Sequence, residues 1–163
     1  MSTITKKTLR VGKYVDSKHV DSTIRTYKKE RWVHNSKRIG KEDSLSVWYS
    51  IEELEDFIAE TKTNGGDGIR CYFGAYGEKD APKPGFEGRQ TIVLVATKSK
   101  ENEVGITHRD LYINKEGHAN ILAYNAGSLC PPICPNHTAQ QRNAFLNVGL
   151  TIVDKGDEGM IVV

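Results

Sequence analysis

Cysteine is scarce in this chain and its number is odd: Cys71, Cys130 and Cys134 are the full set. A small secreted domain held by a disulfide framework uses more of them, in even number, so that class is excluded. Long apolar runs are missing too. No stretch approaches the roughly 18 to 20 residues of a membrane span, and the opening MSTITKKTLRVGKY has no apolar core of a secretory signal. No membrane partner is expected, and the cytoplasm is the default compartment. The chain also lacks His-Glu-x-x-His, a serine in a nucleophile elbow, and a Glu-x-x-His motif for a di-metal bundle. It has no internal repeat, heptad run or low-complexity tract, and its five histidines are scattered. No catalytic constellation results, so the expectation is a protein that is not an enzyme and needs no cofactor.

What the chain does have is a separation of charge. Residues 1–41 hold 12 Lys+Arg against 3 Asp+Glu, a net of +9, whereas residues 42–163 hold 11 against 18, a net of −7. A basic segment of this kind engages a polyanion, docks on the acidic remainder of its own or a neighbouring subunit, or simply solvates an exposed helix. For nucleic acid the contacts would come from Arg25, Lys28, Lys29, Arg31, Lys37 and Arg38 on phosphates, with Tyr27 and Trp32 for stacking. For assembly the basic helix would meet an acidic face bearing Glu52, Asp56 and Glu60 of a neighbour, giving a homo-oligomer. The uncharged end carrying Met160 and Val162 offers a second route, by strand pairing at a free edge. The leading expectation is a non-enzymatic interaction or self-assembly protein; nucleic-acid binding comes second and a small metal- or thiol-dependent enzyme third.

With 163 residues, 37% of them hydrophobic, the chain is long enough for one real core and short for two. The clearest stretch is Ser46 to Tyr76. Ser50 and Glu53 have the spacing of a capping box, and Tyr49 and Leu54 that of a hydrophobic staple. Ile51, Leu54, Phe57 and Ile58 recur at helical spacing with Glu52, Asp56 and Glu60 opposite. Asn64-Gly65-Gly66 ends the helix, and Ile69, Cys71, Phe73 and Ala75 then alternate with Arg70, Tyr72, Gly74 and Tyr76 as in a strand. The glycines here run from helix to strand, the reverse of a phosphate-binding loop. Arg70, Tyr72 and Tyr76 share a strand face that either lines a pocket or packs under a helix with the arginine paired to a carboxylate.

Upstream, residues 1–15 form an arm, or a short edge strand around Leu9 to Val15, and Asp16 or Ser17 caps a basic helix with the stripe Val20, Ile24 and Tyr27, extended by Trp32 or Val33. HNSKRIGKEDSLS reads as a connector leading to Trp48, a core anchor by its size. Downstream, GEKDAPKPGFEG is a surface loop, and Arg89 to Lys98 a central strand apolar on both faces. Asp110 to Asn114 and Ala119 to Tyr124 make a hairpin, Thr138 to Asn147 a short helix, and the last fifteen residues a second hairpin. The sum is an arm, residues 1–15, and a single α+β domain, residues 16–163. Its mostly antiparallel sheet has about five or six strands, with two or three helices packed on it.

Cys130-Pro131-Pro132-Ile133-Cys134, with His137 three residues on, has the composition of a chemical site. Thiolates and imidazole bind zinc, but the spacing between the cysteines is one longer than in a zinc knuckle and a fourth ligand would have to come from Cys71, His118 or solvent. A disulfide is disfavoured in a reducing compartment, which puts first the plain packing of two small residues beside a proline-stiffened turn.

WYSIEELEDFI, GIRCYFGAY and LCPPICP, in this order, resemble a group of small uncharacterised bacterial proteins. Those proteins have similar Trp-aromatic-Ser/Thr helix starts, Gly-x-Arg-x-Tyr-Phe-Gly strands and terminal Cys-Pro-Pro-x-Cys segments. IRTYKKERWVHNS is similar to the longer members of the group. The likeness covers residues 20 to 135 and implies a shared fold, with no activity, cofactor or site residue attached.

Overall fold

The computed structural model describes residues 10–134 and the backbone of 152–154 and 160–162. The architecture is α+β. Its centre is helix α3 (Ile51–Thr63) and the strand that follows, β2 (Gly68–Ala75). The capping box forms: the Ser50 hydroxyl accepts from the Glu53 amide at 3.1 Å, and Glu53 Oε2 accepts from the Ser50 amide at 2.9 Å. The chain then turns through Gly65, at φ +78°, and Gly66, where a Cβ would stand 2.6 Å from Thr61 Cγ2. Only Leu54 and Phe57 of the predicted apolar face reach the core. Ile51 is 71% and Ile58 38% exposed; Thr61 is buried instead, its hydroxyl donating to the Phe57 carbonyl.

Four strands form the main sheet. β2 pairs antiparallel with β3 (Gln90–Asn102), from Gly68↔Thr97 to Ala75↔Gln90, and β3 pairs on its other side with β4 (Gly105–Asp110). β3 is longer than predicted and returns through Gly105 into a strand that the sequence reading passed over. The expected hairpin is there as β5 (Tyr112–Lys115) and β6 (His118–Ile121), joined at Glu116 and Gly117, both at positive φ as a tight hairpin turn needs. It does not extend the main sheet. Leu111 N donates to Ala96 O, Leu122 N to Leu111 O and Ala96 N to Leu122 O, so the hairpin's base is tied to β3 while its body stands away. β7 (Ala123–Tyr124) then rejoins β3. The single sheet of five or six strands thus resolves into the four-stranded sheet and separate two-stranded ones. These are β5 with β6, β1 (Ser46–Trp48) with β8 (Ser128–Cys130), and β9 (Ile152–Asp154) with β10 (Met160–Val162). The terminal hairpin is therefore present in its backbone; the helix expected at Thr138 to Asn147 lies outside the described residues.

The N-terminal helix is longer than its periodicity implied. α1 (Ser17–Tyr27) continues without a break through a π-helical segment (Lys28–Trp32) into α2 (Val33–Ile39), which stops at Gly40 with φ +69°. The polar run HNSKRI, read as a connector, is therefore mostly helix. Polarity alone did not end it; a left-handed glycine did. In an α-helix, residues five apart point about 140° apart. The wider i→i+5 turn draws Tyr27 and Trp32 toward the same side. Trp32 Nε1 donates to the Asp43 carbonyl at 2.8 Å and Tyr27 donates to the Gln90 side chain. Asp43 is itself buried, and its carboxylate accepts from Asn35 Nδ2, Ser44 N and Gln90 N.

Two apolar clusters hold the body together. Phe57, Leu94, Ala96 and Leu122 lie between α3 and the sheet, and Tyr76, Phe86 and Leu129 pack beside β1. Two expectations change here. Phe86, in the proline-rich loop read as surface, is wholly buried and stacks on Tyr76 with centroids 6.1 Å apart. Trp48, read as a core anchor, is 65% exposed, since alternation along β1 turns Val47 inward in its place. No helix among the described residues is long and apolar enough to cross a membrane.

Candidate interaction site

The first part of the site is the chain's N-terminal end. Residues 10–16 have no regular structure, so the strand alternative for this part of the arm does not form. Val11 is 88% exposed, Tyr14 fully so, and Arg10 and Lys13 beside them are exposed too. Asp16 caps α1 by accepting from the His19 amide at 2.8 Å, and α1 buries none of its residues. Among the described residues, therefore, none covers this apolar and cationic segment.

The six cations named for phosphate contact divide. Arg25 is paired with Asp21 at 2.9 Å. Lys28 lies 5.6 Å over the Trp32 ring, and burial lowers its pKa, with Glu42 opposing and Arg25 adding to the effect. Lys29, 3.8 Å from Glu30, is exposed, as are Arg31, Lys37 and Arg38. The stacking aromatics expected beside them are turned inward: Trp32 is buried, and Tyr27, half-buried on Gln90, has its pKa raised chiefly by that burial. That side chain is a structural tie here.

The second part is a groove of about 820 Å³ between α3 and the β5–β6 hairpin. Its buried apolar lining is Phe57 and Leu122; Tyr112 and Lys115 stand on the hairpin side, and Glu53, Asp56 and Glu60 on the helix side. Glu53 is committed to structure. It closes the capping box and accepts from the Tyr124 hydroxyl at 3.0 Å, and the Ser50 amide, the Ser50 hydroxyl and Tyr124 together hold its pKa below the usual carboxylate range. Glu60 Oε1 accepts from Asn64 Nδ2 at 3.1 Å, and Asp56 has neither hydrogen bond nor ion pair among the described residues. Two carboxylates beside an apolar lining suit a segment that is both cationic and apolar. Of the predicted acidic face, then, Asp56 and Glu60 line the groove and Glu52 stays outside it; Met160 and Val162 are placed in β10 by their backbone alone. Glu53 and Tyr124 were missed, though Glu53, Asp56, Phe57, Glu60 and Asn64 recur at the spacing of one helical face.

The third predicted set does not come together as a pocket. Arg70 reaches across β3 to pair with Asp110 and donates to His108 O at 2.6 Å, and Tyr72 donates to the same carboxylate at 2.7 Å. Val95, opposite Arg70 in β3, is buried. Tyr76 is elsewhere, buried with its hydroxyl on Asn125 and Thr91. Nearby, Ser99 Oγ and His108 Nδ1 are 3.0 Å apart, and Asp110 is taken by Arg70 and Tyr72; among the described residues no carboxylate is hydrogen-bonded to that imidazole.

Cys130 and Cys134 are joined in a disulfide, with Cα atoms 4.7 Å apart, rather than packed as two thiols. Bonded to each other, neither sulfur is a thiolate that can ligate zinc; His137 lies outside the described residues. Among the described residues no three His, Cys, Asp or Glu side chains are grouped to hold a metal ion. Cys71 is free and exposed on β2. Searched against known proteins, the chain matches no family model, no curated protein and no solved structure.

Proposed function

We propose that this protein is a non-enzymatic self-assembly protein, in which the basic N-terminal segment of one copy docks on the acidic side of another. The observation that carries this reading is the N-terminal end: residues 10–41 hold 10 Lys+Arg against 3 Asp+Glu, the arm is exposed, and no residue of α1 is fully buried. The opposite charge is concentrated on α3, with five carboxylates to one lysine. Opposed potentials on separate elements favour encounter between copies, and a contact between two different surfaces repeats into a ring or an open filament unless geometry stops it.

Native mass spectrometry of the purified protein at low ionic strength tests the reading. The expected result is a multiple of the 18.2 kDa chain with no additional mass. A monomer refutes it. A species carrying nucleic acid moves the reading to a phosphate-binding module using Lys29, Arg31, Lys37 and Arg38, which are exposed.

A further inference from the structure

We infer that the groove between α3 and the β5–β6 hairpin receives the N-terminal arm, residues 10–16, of a second copy of this chain. The inference rests on the self-assembly reading and gives it an address. The arm, RVGKYVD, offers Arg10 and Lys13 for charge and Val11, Tyr14 and Val15 for apolar burial. The groove offers the complement: Asp56, with neither hydrogen bond nor ion pair among the described residues, and Glu60 with one oxygen to spare, beside Phe57 and Leu122. Lys115 on the hairpin side leaves the site acidic on balance. The arm is long enough to run the length of the groove with about two residues to spare. Seven extended residues span ~23 Å at about 3.3 Å each. The α3 wall from Glu53 to Asn64 is ~17 Å long at about 1.5 Å per residue.

A second copy is the occupant because the arm does not serve its own groove. It begins beyond the Asp16 cap, about 16 Å along α1 from the Tyr27–Gln90 bond that joins this helix to the sheet. In the structure its apolar side chains are exposed. The fit of charge, a cationic apolar segment to an acidic groove with an apolar lining, is met within the same sequence, so each copy supplies both halves of the contact.

Two full-length variants separate the halves. Lys13→Ser with Tyr14→Ser disables the arm, and Asp56→Lys with Glu60→Lys disables the groove. All four positions are exposed, and circular dichroism melts establish that each variant folds. In sedimentation velocity at low salt, each variant alone is expected to be monomeric, and an equimolar mixture to form a dimer and stop there. One intact arm then meets one intact groove, and the other pair is dead. Should the lysine variant fail to fold, Asp56→Asn with Glu60→Gln keeps the shape and is expected to weaken association ~10-fold. A folded groove variant that assembles like wild type overturns the inference and leaves self-assembly standing, as does a mixture that yields no dimer. A monomeric wild type removes both.

Discussion

At Asp43 three donors converge on one buried carboxylate: the Asn35 side chain and the amides of Ser44 and Gln90. Trp32 donates to its carbonyl and Ser36 accepts from its amide, so this residue fastens the long N-terminal helix to β3. Truncation leaves the buried Ser44 amide unsatisfied, a penalty of about 1–3 kcal/mol, and two part-buried donors, which lose less. Asp43→Ala is therefore expected to destabilise the protein by about 2–3 kcal/mol in chemical denaturation. Asp43→Asn should cost less, and a loss below ~1 kcal/mol for the alanine variant would contradict the hub. Nothing in EDSLS announced this role, because an aspartate before a serine reads as turn chemistry and its partners are set by tertiary approach. The cysteines carry a second prediction at this scale. Folded or denatured without reductant, the protein should yield one reactive thiol per chain, Cys71, and three after reduction. Three without reductant contradicts the disulfide. Sequence reasoning put packing first there, since it weighed compartment and could not see that the loop brings the two backbones together.

The element most legible in the sequence was α3, because its signals are local: Ser50, Glu53 and the glycines stand within a turn of the ends they determine. Ser50→Ala is expected to cost about 1 kcal/mol, visible as a lower melting temperature. Glu53 adds a pH dependence whose sign is fixed. Its pKa in the folded state lies below its ordinary value, so its contribution is complete above the ordinary carboxylate range and is lost as pH falls through the depressed value. Glu53→Gln should flatten the acid side of a plot of melting temperature against pH. An acid side identical to wild type contradicts that role. What could not be read were the features set by register between distant segments. Examples are the hairpin standing off the main sheet, the return strand β4, and the π segment that turns Tyr27 and Trp32 to one side. The groove was legible by half: its helix wall follows from spacing, whereas the β5–β6 wall depends on where the hairpin folds back.

On the scale of the whole molecule, the charge asymmetry in the sequence becomes a spatial one, with an exposed basic end and an acidic groove on a different element. Exposed apolar side chains such as Val11 and Tyr14 then have a use, since a neighbour can bury them. The docking contact is electrostatic at its rim, and the screening length falls to about 3 Å at 1 M salt. Association through strand edges does not share that sensitivity, which makes salt the discriminating variable. The most direct measurement is static light scattering of the full chain at micromolar concentration, first in low salt and then at about 1 M. The predicted result is an assembly that falls toward the 18.2 kDa monomer as salt rises. A mass of one chain at both ionic strengths would contradict self-assembly by this protein.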